Sequence, residues 1–174
     1  MALASYLDVT KGRVLPLILE MLVRGIISKK LRIKHLSYGK WPASGEIDIM
    51  ESRGNDKIWN PRDNEDAGNN CFGSTLHWGP YFPANGFPKT HESVCLTNGR
   101  SFADEWHTYT LDWTTEYIAF ELDGEEFFRV PKPQGGFWQF GEFEKDFPGS
   151  ENPWTEGNES SISRLTLDNR IIIC

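Results

Sequence analysis

The chain has little cysteine and no cysteine pair at metal-ligand spacing. Cys71, Cys95 and Cys174 are its three cysteines among 174 residues. The odd count leaves one thiol unpaired at best, and the lack of a CxxC pattern argues against structural zinc. Positive charge is also short. Eighteen Lys and Arg stand against twenty-five Asp and Glu, a net charge of −7. That argues against nucleic acid, whose phosphates need clustered cations; an uncharged ligand fits better. Long apolar runs are missing as well. The stretch 15–23 is broken by Glu20 and followed, not preceded, by Lys29, Lys30, Arg32 and Lys34. It is too short to span a bilayer and wrongly flanked for a signal peptide, so neither a membrane segment nor an export signal is expected there. Leu15, Ile18, Leu22 and Ile26 fall at helical spacing and predict a short N-terminal helix.

What the chain does have is aromatic and β-patterned. Aromatics make up 13%, with seven Trp. Flat rings with few rotors suit stacking on sugar faces, although core packing is the better reading for most of them. The length suggests one domain with a real core. Three zones differ in character: 1–37 is aliphatic and basic, 38–154 holds every Trp and nine of the ten Pro, and 155–174 ends in the apolar run Ile171-Ile172-Ile173-Cys174. In the middle zone, strands are predicted at 45–52, 74–78, 107–114, 116–122 and 125–130. Asp123-Gly124 between alternating apolar runs predicts a hairpin with a type I′ turn. Several short strands with turn signals mean an all-β sandwich or barrel. The polar stretch 55–70 reads as a loop beside the first of these strands. If the chain is secreted, Cys71 and Cys95 are candidates for a disulfide, and Asn158-Glu159-Ser160 is either a glycosylation sequon or a chance triplet.

The informative segment is Glu46-Ile47-Asp48-Ile49-Met50-Glu51. It sets three carboxylates in one short apolar run, where unpaired charge is costly unless chemistry uses it. Ile47 and Ile49 alternate with the acids, so the run reads as a strand. Glu46, Asp48 and Met50 then share a face, and Glu51 joins them only if an extra residue intervenes; a β-bulge near Met50 is predicted. Carboxyls about 5–5.5 Å apart suit a retaining glycosidase. Asp48 between them would push their proton affinities apart, but charge alone does not say which Glu does what. A solvated edge strand explains a single Glu-x-Asp better than three acids flanked by aromatics. A divalent-cation site usually draws its carboxylates from a loop with a glycine turn.

The run Trp41-Pro42-Ala43-Ser44-Gly45-Glu46-Ile47-Asp48-Ile49-Met50-Glu51-Ser52-Arg53-Gly54-Asn55 closely resembles the active-site strand of glycoside hydrolase family 16. The extra residue before the second Glu is similar to the β-1,3-glucanase (laminarinase) branch and its β-1,3-glucan-binding relatives. Ser74-Thr75-Leu76-His77-Trp78, the stretch from Trp106-His107 to Trp113, Phe120 to Gly124, and Asn152-Pro153-Trp154 resemble later parts of that family in the same order. The likeness covers about residues 38–154. It implies a concanavalin A-like β-jelly-roll sandwich, with Glu46 as nucleophile, Glu51 as general acid/base and Asp48 as the carboxylate between them. Trp41 matches an aromatic that stacks near the cleaved bond, and His77 a strand position near the cleft, where a core histidine is an equal alternative. His107 and Trp113 read as structural. The resemblance further implies retaining hydrolysis of internal β-1,3-glucosidic bonds, a β-glucan partner, no catalytic cofactor, a monomer and an extracellular setting, with room for a structural calcium away from the catalytic centre.

The likeness stops at both ends. Residues 1–37 lack the Trp-rich strand that family members carry before Tyr38-Gly39-Lys40-Trp41, and 160–174 does not resemble their closing strand. A jelly roll incomplete at both ends is therefore expected. Glucan recognition without cleavage, and a truncated inactive product, stand as alternatives to hydrolysis.

Overall fold

The computed structural model describes residues 17–21, 29–34, 40–56, 58–61, 64–155 and 170–173. In chain order the strands are β1 (Leu17–Met21), β2 (Lys29–Lys34), β3 (Glu46–Ser52), β4 (Trp59–Asn60), β5 (Glu65–Asp66), β6 (Cys71–His77), β7 (His91–Cys95), β8 (His107–Trp113), β9 (Tyr117–Leu122), β10 (Glu125–Pro131) and β11 (Arg170–Ile173). Two short helices, α1 (Gly136–Phe140) and α2 (Phe143–Asp146), follow β10. One sheet runs β1-β8-β9-β10 and the other β11-β2-β3-β6-β7, every pairing antiparallel, while β4 and β5 form a small hairpin apart. This is the all-β jelly-roll sandwich that the residues point to.

Strand alternation builds the core between the sheets. Ile47, Met50, Phe72 and Leu76 of the five-stranded sheet meet Tyr109, Leu111, Phe120 and Val130 of the four-stranded one. Phe72 sets its ring edge-on to Tyr109 at 5.2 Å and to Phe127 at 5.5 Å. Full burial of such side chains is worth about 1.5–3 kcal/mol each. Burial pushes the Tyr109 phenol well above its usual range, with the Asp123 charge adding to the effect.

The hairpin predicted at Asp123-Gly124 is present, with φ of 53° and 86° at the two turn residues, as a type I′ turn requires. Asp123 also ties the turn to β8. Its carboxylate accepts from the Thr108 backbone N–H at 2.8 Å and pairs with His107 Nδ1 at 2.7 Å. Burial alone would raise its pKa, but these two bonds and the charges of His107 and Arg100 outweigh it and hold the carboxyl below the usual range. His107 is itself buried, edge-on to Phe102 at 5.0 Å.

The N-terminal helix is corrected. Leu17–Met21 is a strand antiparallel to β8, with Leu17 opposite Leu111 and Met21 opposite His107. A helix this short has a costly nucleus, whereas the same aliphatic stretch beside β8 completes a ladder of main-chain bonds. Lys29–Lys34 and Arg170–Ile173 pair with one another, and β2 pairs in turn with β3. β7 was not among the predicted strands. It pairs with β6, and Cys71 opposite Cys95 forms the disulfide at a Cα separation of 4.2 Å. Leu15, Leu22, Ile26, Asn158 and Cys174 lie outside the described residues. Among the described residues no helix is long and apolar enough to cross a membrane.

Candidate active site

A tight turn launches β3. The Ala43 N–H donates to the Lys40 carbonyl at 3.0 Å and the Gly45 N–H to the Pro42 carbonyl at 2.9 Å, with Gly45 at φ 77°. A left-handed residue is needed where the turn becomes strand, and glycine takes that conformation without penalty. The turn is pinned from far along the chain, because Trp154 Nε1 donates to the Ala43 carbonyl at 2.9 Å.

Register then decides which side chains meet. Glu46 stands opposite His77, Asp48 opposite Thr75 and Glu51 opposite Gly73. On β6 those partners are spaced by two residues, so all three acids lie on one face of the sheet. Two residues, Ile49 and Met50, are passed over between Asp48 and Glu51, and the β2 ladder shifts at the same place. The bulge predicted near Met50 is therefore present. It turns Met50 into the core, where it is 0% exposed, and returns Glu51 to the face of Glu46 and Asp48. Ser74 Oγ donates to the Ile49 carbonyl at 2.6 Å across the irregularity, satisfying an oxygen that the ladder would otherwise leave over.

This face lies opposite the inter-sheet core, yet Glu46 is 5% and Asp48 0% exposed. Charges so enclosed require partners. His77 Nε2 lies 3.0 Å from Asp48 Oδ2. The other ring nitrogen, Nδ1, lies 3.0 Å from Asn85 Nδ2 in the loop that joins β6 to β7. The imidazole is flanked by Trp41 and Phe87, each with centroids 5.4 Å from it. Trp41 also stacks on the exposed Phe82 at 6.0 Å. Trp41, Glu46, Asp48 and His77 are thus one constellation, with His77 held by a carboxylate and two rings.

Beyond Glu51 the face opens into a cavity of about 330 Å³ whose wall includes Glu51, Arg53, Asp66, Gly73, His91 and Ser93. His91 points its ring edge at Gly73, where a Cβ would come within 2.7 Å of Cε1. Thr75 Oγ1 at 2.8 Å and Ser93 Oγ at 3.2 Å bracket the ring. Sequence reading missed Asn85, His91 and Gly73. The alternation of His91-Glu92-Ser93 would have placed His91 and Ser93 on one face; nothing local marks Asn85.

Among the described residues no group of three His, Cys, Asp or Glu side chains is arranged to hold a metal ion. No step is derived through a metal.

The family model for glycosyl hydrolases family 16 matches residues 25–145. Over 120 residues the chain is 46% identical to a beta-1,3-glucan-binding protein of Penaeus monodon, covering 69% of this chain and 30% of that protein. It is 31% identical over 97 residues to the glucan endo-1,3-beta-glucosidase A1 of Niallia circulans, covering 56% of this chain and 12% of that one. The chain thus spans less than a third of the length of these relatives. Among solved structures, a non-specific endo-beta-1,3(4)-glucanase superposes with a TM-score of 0.50 at 19% identity, over 91% of this chain and 46% of that one, a likeness of fold.

Proposed function

The chain belongs to glycosyl hydrolases family 16, and from that premise we propose that it hydrolyses internal β-1,3-glucosidic bonds of a β-glucan by a retaining double displacement. The observation that carries the proposal is the register shift at Ile49 and Met50, which sets Glu46, Asp48 and Glu51 on one face. In this reading Glu46 attacks the anomeric carbon while Glu51 protonates the departing oxygen. Glu51 then takes a proton from water, which releases the sugar from Glu46. Asp48 stands between them on the same face, opposite Thr75 in register. Trp41 offers an aromatic face to a sugar ring beside Glu46. The Cys71–Cys95 disulfide supports a secreted setting.

A second reading, glucan recognition without cleavage, is favoured by one observation: the relative that is 46% identical is named for binding. Reducing-sugar release from laminarin separates the two. Turnover by the chain that falls by about 10³-fold or more in Glu46→Gln supports hydrolysis, since loss of a nucleophile is that damaging. Laminarin retardation in affinity electrophoresis with no sugar release at any pH supports recognition. Turnover unchanged in Glu46→Gln overturns the assignment of the nucleophile.

A further inference from the structure

We propose that Asn85 is a positioning residue for the acidic strand: its side-chain amide fixes the tautomer of His77, and through His77 the setting of Asp48 between Glu46 and Glu51. This rests on reading that strand as the reacting centre.

The argument is one of donors and acceptors. Asn85 Oδ1 accepts from two main-chain N–H groups, Phe87 at 3.1 Å and Trp78 at 3.3 Å. A backbone N–H only donates, so the amide oxygen must face that side and Nδ2 must face His77. Nδ2 likewise has only protons to offer. His77 Nδ1, 3.0 Å away, must therefore present its lone pair. An imidazole with one N–H then carries it on Nε2, the ring nitrogen that lies 3.0 Å from Asp48 Oδ2. Proton direction along the whole chain follows from two backbone groups that cannot be reversed.

The loop holds Asn85 firmly enough to do this. The Gly86 N–H donates to the Trp78 carbonyl at 2.7 Å and the Asn85 N–H to the Pro83 carbonyl at 2.8 Å. Gly86 packs so closely on the Trp78 ring that a Cβ would fall within 2.3 Å of it. Trp78 is fully buried, donates from Nε1 to Thr90 Oγ1 at 2.8 Å, and stacks on Phe140 of α1 at 5.3 Å. Asn85 is thus fastened to the core through the residue next to His77.

The consequence lies in Asp48. A one-proton imidazole orients the carboxylate without cancelling its charge, which continues to act on both Glu residues. An imidazolium would offset that charge. Among the described residues the ionisable groups nearest the ring are Asp48 and, opposite in register, Glu46, and on β2 Arg32 stands opposite Asp48 and Lys34 opposite Glu46. The turn and the loop contribute the uncharged Trp41, Phe87 and Asn85.

Asn85→Asp in the full chain is the discriminating variant, because it keeps the oxygen for Phe87 and Trp78 and replaces only the donor to His77. Long-range ¹H–¹⁵N spectra, with His77 assigned by its loss in His77→Gln, should show the Nε2–H pattern in the parent chain. In Asn85→Asp, both ring nitrogens should be protonated at pH values where the parent carries one proton. Laminarin kcat should fall roughly ten- to hundredfold, the scale of a small misplacement at a reacting centre, with KM little changed. The pH profile of kcat should differ from the parent's, since the second ring proton changes what His77 presents to Asp48. An Nδ1–H pattern in the parent chain overturns the proposal, and that measurement needs no variant to fold. So does an Asn85→Asp variant whose His77 signals and pH profile stay in place. Absence of laminarin turnover together with the expected spectra upholds the tautomer assignment and overturns the catalytic reading of the strand instead.

Discussion

Gly73 stands opposite Glu51 and contributes no side chain to the face where the acids gather. His91 takes the vacated space and is bonded on both sides, to Thr75 and Ser93, so it has no easy way to yield. In Gly73→Ala the added methyl would meet the ring at 2.7 Å. Overpacking of this kind costs about 1–3 kcal/mol. The expected result is a melting temperature lowered by roughly 2–10 °C, with a raised KM for laminarin because the cavity beside Glu51 is lined by the displaced ring. A variant that melts and turns over like the parent would show that His91 is free to move. Residues such as Glu46, Asp48, Glu51 and Trp41 were legible in the sequence because their meaning is local: charge in an apolar alternating run, and a ring just before it. Asn85 and His91 were not. Register and loop closure create the role of each, and only the alternation of His91 with Ser93 leaves a local trace.

Elements whose turns carry their own chemistry were equally legible. Asp123-Gly124 supplies two positive φ values and joins β9 to β10 where the alternation places it. The stretch that became β1 was not, because the partner that decides between helix and strand, β8, lies some ninety residues on. The Asp123 turn also yields a pH dependence. Its carboxyl is held below the unfolded value of about 3.9. The stabilisation is therefore complete above that value and lost as pH falls through the lowered native one. Asn tolerates the same backbone angle, so Asp123→Asn isolates the charge. The gap in melting temperature between parent and variant should be constant above about pH 5 and close on further acidification. A gap independent of pH would mean that the turn, and not the ionised carboxylate, carries the effect.

At the scale of the molecule, a net charge of −7 surrounds a site built from acids and rings. A neutral polysaccharide feels that field weakly. KM for laminarin should accordingly change less than about twofold between low and 0.5 M salt, where the Debye length shrinks to a few ångströms. A polyanionic substrate would instead bind better as salt screens the repulsion. A steep salt dependence with laminarin would point to a charged partner in the site. Composition made the sign of this field readable from the start. That β2 flanks the acidic strand on one side, with β11 beyond it, was not readable, since β11 joins β2 through main-chain bonds between segments distant in the chain.

The hydrogen bond from Trp154 to Ala43 joins residues 111 positions apart. On a ribosome adding about 5–20 residues per second, the turn that precedes Glu46 waits of order ten seconds for its clamp. Until then the nascent chain holds three carboxylates on a strand whose covering turn is loose. The acidic face is thus clamped well after its own residues are made.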